Sequence, residues 1–218
     1  GPLGFLFGRI ANFINGELVG RVAPEGYKFA VKFPSDIMNW PNYKFNQLNS
    51  LAPVVEKLGV EQSKWGEWLS QFRTDAGARE QVYNHLHKII VEIQNGNSAV
   101  KELMAGVLEA RYPSQLIASA SEGLFSFVVL FLLARKSRRP GFIAASFGMV
   151  YAASRIFNEQ FREPDLQLGY QLLGLTRGQW LSVGMFALGA VLMFYWNRTQ
   201  SQTVFGWQKG ESVKISRR

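Results

Sequence analysis

Three apolar stretches lie in the second half of the chain, Leu116 to Ala134, Gly141 to Phe157 and Leu181 to Trp196. At about 1.5 Å per helical residue they rise about 24 to 28 Å, close to a hydrocarbon core of about 30 Å, so each predicts a transmembrane helix. The first holds one acid, Glu122, and then runs from Gly123 to Ala134 with no polar group but Ser126. The second carries Arg155 near its end, and the third closes on Phe194, Tyr195 and Trp196, an aromatic belt suited to the headgroup level. A fourth run, Leu3 to Ile14, reads as the end of a spanning segment entered partway along, with its earlier part expected upstream.

Between the fourth run and the first span the periodicity changes. Trp65, Trp68, Leu69 and Phe72 recur at helical spacing, as do Val82, Leu86, Ile89, Ile90 and Ile93, and then Val100, Leu103, Met104, Val107 and Leu108. Leu48, Leu51, Val55 and Leu58 predict another helix, with Gly59 placed to end it, and Asn95, Gly96 and Asn97 predict a turn between the last two. These stripes predict the packed core of a small helical head.

Composition supports reading the chain in pieces. Aromatic residues make up 14% and charged residues only 18% of the 218, yet mean hydropathy is near zero, as when very apolar segments are averaged with a polar one. There is no cysteine, so neither a disulfide framework nor a thiolate nucleophile or zinc-thiolate site is available from this chain, and neither metal nor cofactor is expected.

The net charge of +8 would make nucleic acid the first partner to consider for a soluble protein. Its distribution excludes that reading. Arg135, Lys136, Arg138, Arg139, Arg198, Lys209, Lys214, Arg217 and Arg218, against Glu211 alone, account for the whole excess; elsewhere bases and acids balance. Basic residues on one side of spanning segments mark the cytoplasmic side. The fold expected is an all-α polytopic membrane protein with at least three complete transmembrane helices, a partial one, and an inserted helical extracytoplasmic head. Residues 1–20 would end a span, 21–110 form the head, 111–196 the membrane domain and 197–218 a basic cytoplasmic tail.

Polar residues inside such segments are expensive and point to function. From Gly8 to Arg21 an apolar, glycine-punctuated segment carries Arg9, Asn12, Asn15, Glu17 and Arg21. On a helix Arg9 and Asn12 share a face, so guanidinium and carboxamide can converge on one anion. Tyr151, Arg155, Glu159 and Arg162 form a second stripe, in which Arg155 can pair with Glu159. Two arginines on the same side suit a phosphate, because a guanidinium is permanently charged and binds oxyanions in bidentate fashion. His85 and His87 sit two apart in the head and cannot share a helix face, so no catalytic role is assigned to them.

These motifs resemble the prolipoprotein diacylglyceryl transferases of bacterial inner membranes. Gly8 through Gly20 is similar to that family's signature at every fixed position: Gly8, Arg9, Ala11, Asn12, Phe13, Asn15, Glu17 and Gly20. Arg111, Pro113, Ser114 and Gln115, followed by Glu122 and Gly123, resemble a second element; Tyr151, Arg155, Glu159, Arg162, Pro164 and Asp165 resemble a third; and Leu173, Thr176, Gly178, Gln179, Leu181 and Ser182 a fourth. Tyr112 stands where the family has a histidine, and Ile117 and Ala118 where it has Tyr-Glu. The family's other histidine, its catalytic one, belongs to a glycine-rich loop upstream of the matched segments, so this chain alone is expected to bind lipid without turnover.

The resemblance implies transfer of a diacylglyceryl group from phosphatidylglycerol, in membrane lipid, to the lipobox cysteine of a prolipoprotein signal peptide, with glycerol 1-phosphate leaving. It implies Arg9 and Arg155 as the essential arginines, with Asn12, Glu17, Gly20 and Tyr151 lining the phospholipid site; Glu159 and Arg162 are added as a supporting ion pair. Two other readings stay open: a transporter or flippase for an anionic lipid or solute, and a non-catalytic lipid-binding membrane module.

Overall fold

In the computed structural model, residues 1–163 and 171–199 are described. Pro164, Asp165 and the basic tail beyond Thr199 lie outside the described residues. The chain divides into two compact units, one made of Gly1–Ile14 with Pro113 onward, the other of Asn15–Tyr112. Among the described residues the regular structure is helical, with isolated antiparallel bridges from Val22 and from Val31 to Arg111.

The unit Asn15–Tyr112 packs around a buried apolar core. A 3₁₀ turn, Pro34–Asn39, leads into α2 (Trp40–Tyr43). A second 3₁₀ segment, Phe45–Leu51, runs into α3 (Ala52–Lys57), and then come α4 (Gln62–Gln71), α5 (Ala76–Gln94) and α6 (Ser98–Val107). All four predicted stripes reach the core, where Leu48, Leu51, Val55, Trp65, Val82, Leu86, Ile89, Val100 and Met104 pack with Ile37 and Trp40. Each fully buried leucine or isoleucine contributes about 1.5–3 kcal/mol. The Trp65 indole N–H donates to the Leu48 carbonyl at 3.0 Å, so its polar end is satisfied inside.

The stripe expected to be one helix from Leu48 to Leu58 is broken in two. Pro53, with no N–H to give, restarts the helix at α3, and the turn before it takes the tighter 3₁₀ pitch, which stacks Leu48 and Leu51 three apart. Asp75 caps α5 by accepting from the N–H groups of Gly77 and Ala78, and Asn97 caps α6 through Val100 N–H. Gly59 and Gly96, at φ +91° and +84°, take the left-handed turns predicted for them.

The ends of this unit are tied by Arg111, which is almost fully buried. Its Nη1 donates to the Gly20 carbonyl at 2.9 Å, and its Nη2 to Asp36 at 3.1 Å and Glu109 at 3.0 Å. Glu109 also accepts from Lys44 Nζ at 2.6 Å. Burial opposes ionisation of Glu109, but the Lys44 hydrogen bond and the charges of Lys44 and Arg111 outweigh it and hold the carboxyl below its usual range.

The other unit contains α1 (Pro2–Asn15), α7 (Ser114–Ala134), α8 (Phe142–Asn158) and α9 (Arg177–Thr199). Helices α7 and α9 are long and apolar enough to cross a membrane, and they are mostly exposed rather than buried as core helices would be. Helix α8 has 17 residues, about 25 Å of rise. The π turn Ser119–Phe125 interrupts α7.

The packing of these helices depends on small residues. A Cβ on Gly123 would lie 2.6 Å from the backbone of Leu6, so α1 crosses α7 at near backbone contact, and one on Gly189 would lie 2.7 Å from Met149 at the α8–α9 crossing. Helix α9 begins with a reciprocal cap. Thr176 Oγ1 accepts from Gln179 N–H at 3.2 Å, and Gln179 Oε1 accepts from Thr176 N–H at 3.0 Å.

A candidate anion site among the membrane helices

A fully buried carboxylate, Glu122, organises the helical unit that contains α7. The π turn carries it, and its relative exposure is 0%. From α1, Arg9 donates Nε at 3.1 Å and Nη2 at 2.8 Å to its Oε2. From α8, Asn158 Nδ2 donates to Oε1 at 3.0 Å, and Arg155 Nη1 stands 3.7 Å from the same oxygen. The two arginines predicted from separate motifs thus meet on one anion. Ionising a group sealed from water is costly unless cations and donors surround it, and here they do.

Arg155 also lies 4.0 Å from Glu159 Oε2, so the expected Arg155–Glu159 pair is present, although Glu122 is the nearer acid. The Arg155 guanidinium is about four-fifths buried and makes no hydrogen bond among the described residues. Its donors remain for a ligand. Glu159 in turn accepts from Thr176 Oγ1 at 2.8 Å, which ties α8 to the capped start of α9. Gly178 lets this carboxylate approach: an added Cβ would lie 3.4 Å from Glu159 Oε1.

The remaining predicted residues distribute as follows. Tyr151 is half-buried on α8 with its ring 4.7 Å from that of Phe5 on α1. Asn12 is half-buried one turn after Arg9, and Arg162 is half-buried just past α8. Glu17 and Gly20 belong to the other compact unit, where Glu17 is exposed and the Gly20 carbonyl takes the Arg111 guanidinium. The motif from Gly8 to Arg21 therefore crosses the boundary between the units.

Sequence reasoning missed Glu122 and Asn158 as site residues. Glu122 carried a usable signal, a lone acid in an apolar span. Asn158 lies three residues after Arg155 and shares its face, which spacing alone could have revealed. No periodicity announces the π turn that aims Glu122.

Comparison with known proteins is decisive at this point: residues 1–195 match the sequence pattern described as prolipoprotein diacylglyceryl transferase. The chain belongs to this family. A phosphatidylglycerol–prolipoprotein diacylglyceryl transferase of Bdellovibrio bacteriovorus is 54% identical over the whole chain, which covers 62% of that relative. Proteins of the same name from Neisseria meningitidis serogroup C and Burkholderia lata are 34% identical over 190 and 194 residues, covering 50% and 51% of their lengths. The chain thus spans between half and two thirds of the transferases it matches. This is a family of bacterial membrane enzymes, in keeping with the two apolar helices. In this chain Arg9, Arg155 and Asn158 surround the buried Glu122 carboxylate.

Proposed function

We propose that the protein to which this chain belongs transfers the diacylglyceryl group of phosphatidylglycerol to the lipobox cysteine of a prolipoprotein signal peptide, the first step of lipoprotein maturation. In that reaction the cysteine, as its thiolate, forms a bond from sulfur to a glycerol carbon of the lipid, the C–O bond to phosphate breaks with its electron pair leaving on glycerol 1-phosphate, and the thiol proton ends on that phosphate or in water. Negative charge grows on the phosphate as it departs. Fixed guanidinium groups stabilise such charge most when already held in a site poor in water.

The observation that carries this reading is the convergence of Arg9 and Arg155 on one buried carboxylate between apolar helices, with the donors of Arg155 unspent. In the proposed site both arginines hold the phosphate. Asn12 and Tyr151 line the lipid, and Glu159 with Arg162 supports Arg155. The same reading takes α7, α8 and α9 as complete spans of the bacterial inner membrane and α1 as part of another. It keeps residues 1–20, 21–110, 111–196 and 197–218 as span end, extracytoplasmic head, membrane domain and cytoplasmic tail. The basic loop from Arg135 to Arg139 supports that orientation.

The test incubates the full-length protein with phosphatidylglycerol and a lipobox peptide and follows thioether formation by mass. Arg9→Ala and Arg155→Ala should each remove most of the activity while protein yield is kept. Undiminished transfer by either variant would overturn the site assignment.

A further inference from the structure

Glu122 has a part to play that the roles of the arginines leave open. Two guanidinium groups brought together in a membrane interior repel each other, and a carboxylate there is costly alone; each makes the other tolerable. The way Arg9 is used is specific. Its Nε and Nη2 both address Glu122 Oε2, so one edge of its fork is occupied and the Nη1 edge is turned away from the acid.

Glu122 is itself held. Asn158 donates to its Oε1, and the Asn158 Oδ1 lies 2.9 Å from Ser121 Oγ, which orients the carboxamide. Ser154 Oγ donates to the Ser121 carbonyl at 3.2 Å, binding α8 to the π turn that carries the acid. With donors on both oxygens, Glu122 is placed to accept hydrogen bonds from the residues it holds.

We infer that Glu122 is a positioning residue of the transferase site: its carboxylate, oriented by Asn158, fixes Arg9 and Arg155 about one point so that the outer edges of both face a single lipid phosphate. The inference rests on the transferase reading above. It assigns Glu122 no contact with substrate and no proton transfer. All of its effect passes through the two arginines. Removing its charge leaves the pair more cationic, so lipid affinity is kept or rises while the geometry for the departing phosphate is lost.

The test measures kcat and KM for phosphatidylglycerol in the full-length protein, with thermal unfolding in detergent to count folded molecules. Glu122→Gln should lower kcat about 100-fold, as misplacement of about 1 Å can, with KM unchanged or lower. Glu122→Asp keeps the charge but withdraws it by one methylene, and it and Asn158→Ala should each cost about tenfold. In an Arg9→Lys background, Glu122→Gln should cost less than it does alone, because only its hold on Arg155 remains to be lost. Wild-type kcat per folded molecule in Glu122→Gln, or a loss that adds in full to that of Arg9→Lys, overturns the inference. If Glu122→Gln does not fold, the Glu122→Asp and Asn158→Ala variants decide: unchanged turnover per folded molecule in both means a purely structural acid. A wild-type protein that binds phosphatidylglycerol but transfers nothing overturns the transferase reading itself, and the positioning role with it. A slow Glu122→Gln beside an active wild type supports both.

Discussion

The two units bury opposite kinds of residue. In Asn15–Tyr112 the interior is made of tryptophan, leucine, isoleucine and valine, and Arg111 is its one fully buried charge among the described residues. In the other unit the buried residues among those described include serines, alanines, glycines, Gln115, Asn158, Thr176, Glu122 and Glu159, while Phe125, Leu132, Leu181, Val191 and Phe194 are exposed. The inversion fits the arrangement proposed above, with water around the first unit and lipid around the second. Water drives large apolar groups inward, whereas lipid tails leave them outside, so helices there associate through small residues and satisfied polar groups.

The sharpest way to break this contrast is to remove the charges. Arg155→Ala and Arg9→Ala should each reduce transfer by about 10³-fold, measured by thioether formation, while leaving unfolding of the head unchanged. An equal loss from both would mark one shared phosphate site.

Next in size, Trp65→Ala should destabilise the head by about 3–5 kcal/mol, because it opens a cavity in the core and strands the Leu48 carbonyl. Hydrogen exchange should report the effect across α4 and α5 and leave α7 protected. Protection lost from both units together would show that they unfold as one.

Glycine substitutions sharpen the comparison further. Gly123→Val pushes against the Leu6 backbone and should cost about 1–3 kcal/mol along with the Arg9–Glu122 contact. Gly66→Ala, in the exposed face of α4 with open space around it, should instead stabilise the head by up to about 1 kcal/mol. Thermal unfolding of the two variants should therefore shift in opposite directions.

The smallest effect concerns acid. The lowered pKa of Glu109 means that its contribution is complete above the usual carboxylate range and is lost as pH falls through its lowered value. Because Glu109 is partly exposed, the amount is about 1 kcal/mol or less. Glu109→Gln should lower the stability of this unit near neutral pH by that amount, flatten the acid limb of its stability curve, and converge with the wild type at low pH.

Sequence patterning located the helices that pack together in Asn15–Tyr112, because residues sharing one core must repeat at the helical period. Trp65 and Leu69, or Val82, Leu86 and Ile89, have no other way to share a face. The same logic located the apolar helices and the two arginines, since charges are costly there. It failed where geometry departs from period: Pro53 split one expected helix, and Pro34–Asn39 formed a turn with no apolar stripe to announce it. At the site, the arginines were legible as types in unusual places. Glu122 as their common partner was not, because the contact joins residues 113 positions apart.

The π turn at Ser119–Phe125 has a consequence for how this helix can change over generations. A π turn amounts to one extra residue slipped into an α-helix, and it rotates everything beyond it by roughly 100° relative to an uninterrupted helix. Deleting a single residue there would leave a helix still long and apolar enough to span, yet Glu122 and the residues after it would no longer share the present alignment. Length variation in this segment is therefore constrained far more tightly than its hydrophobicity, and drift in the span should proceed by substitution, with insertions and deletions confined to the loops outside it.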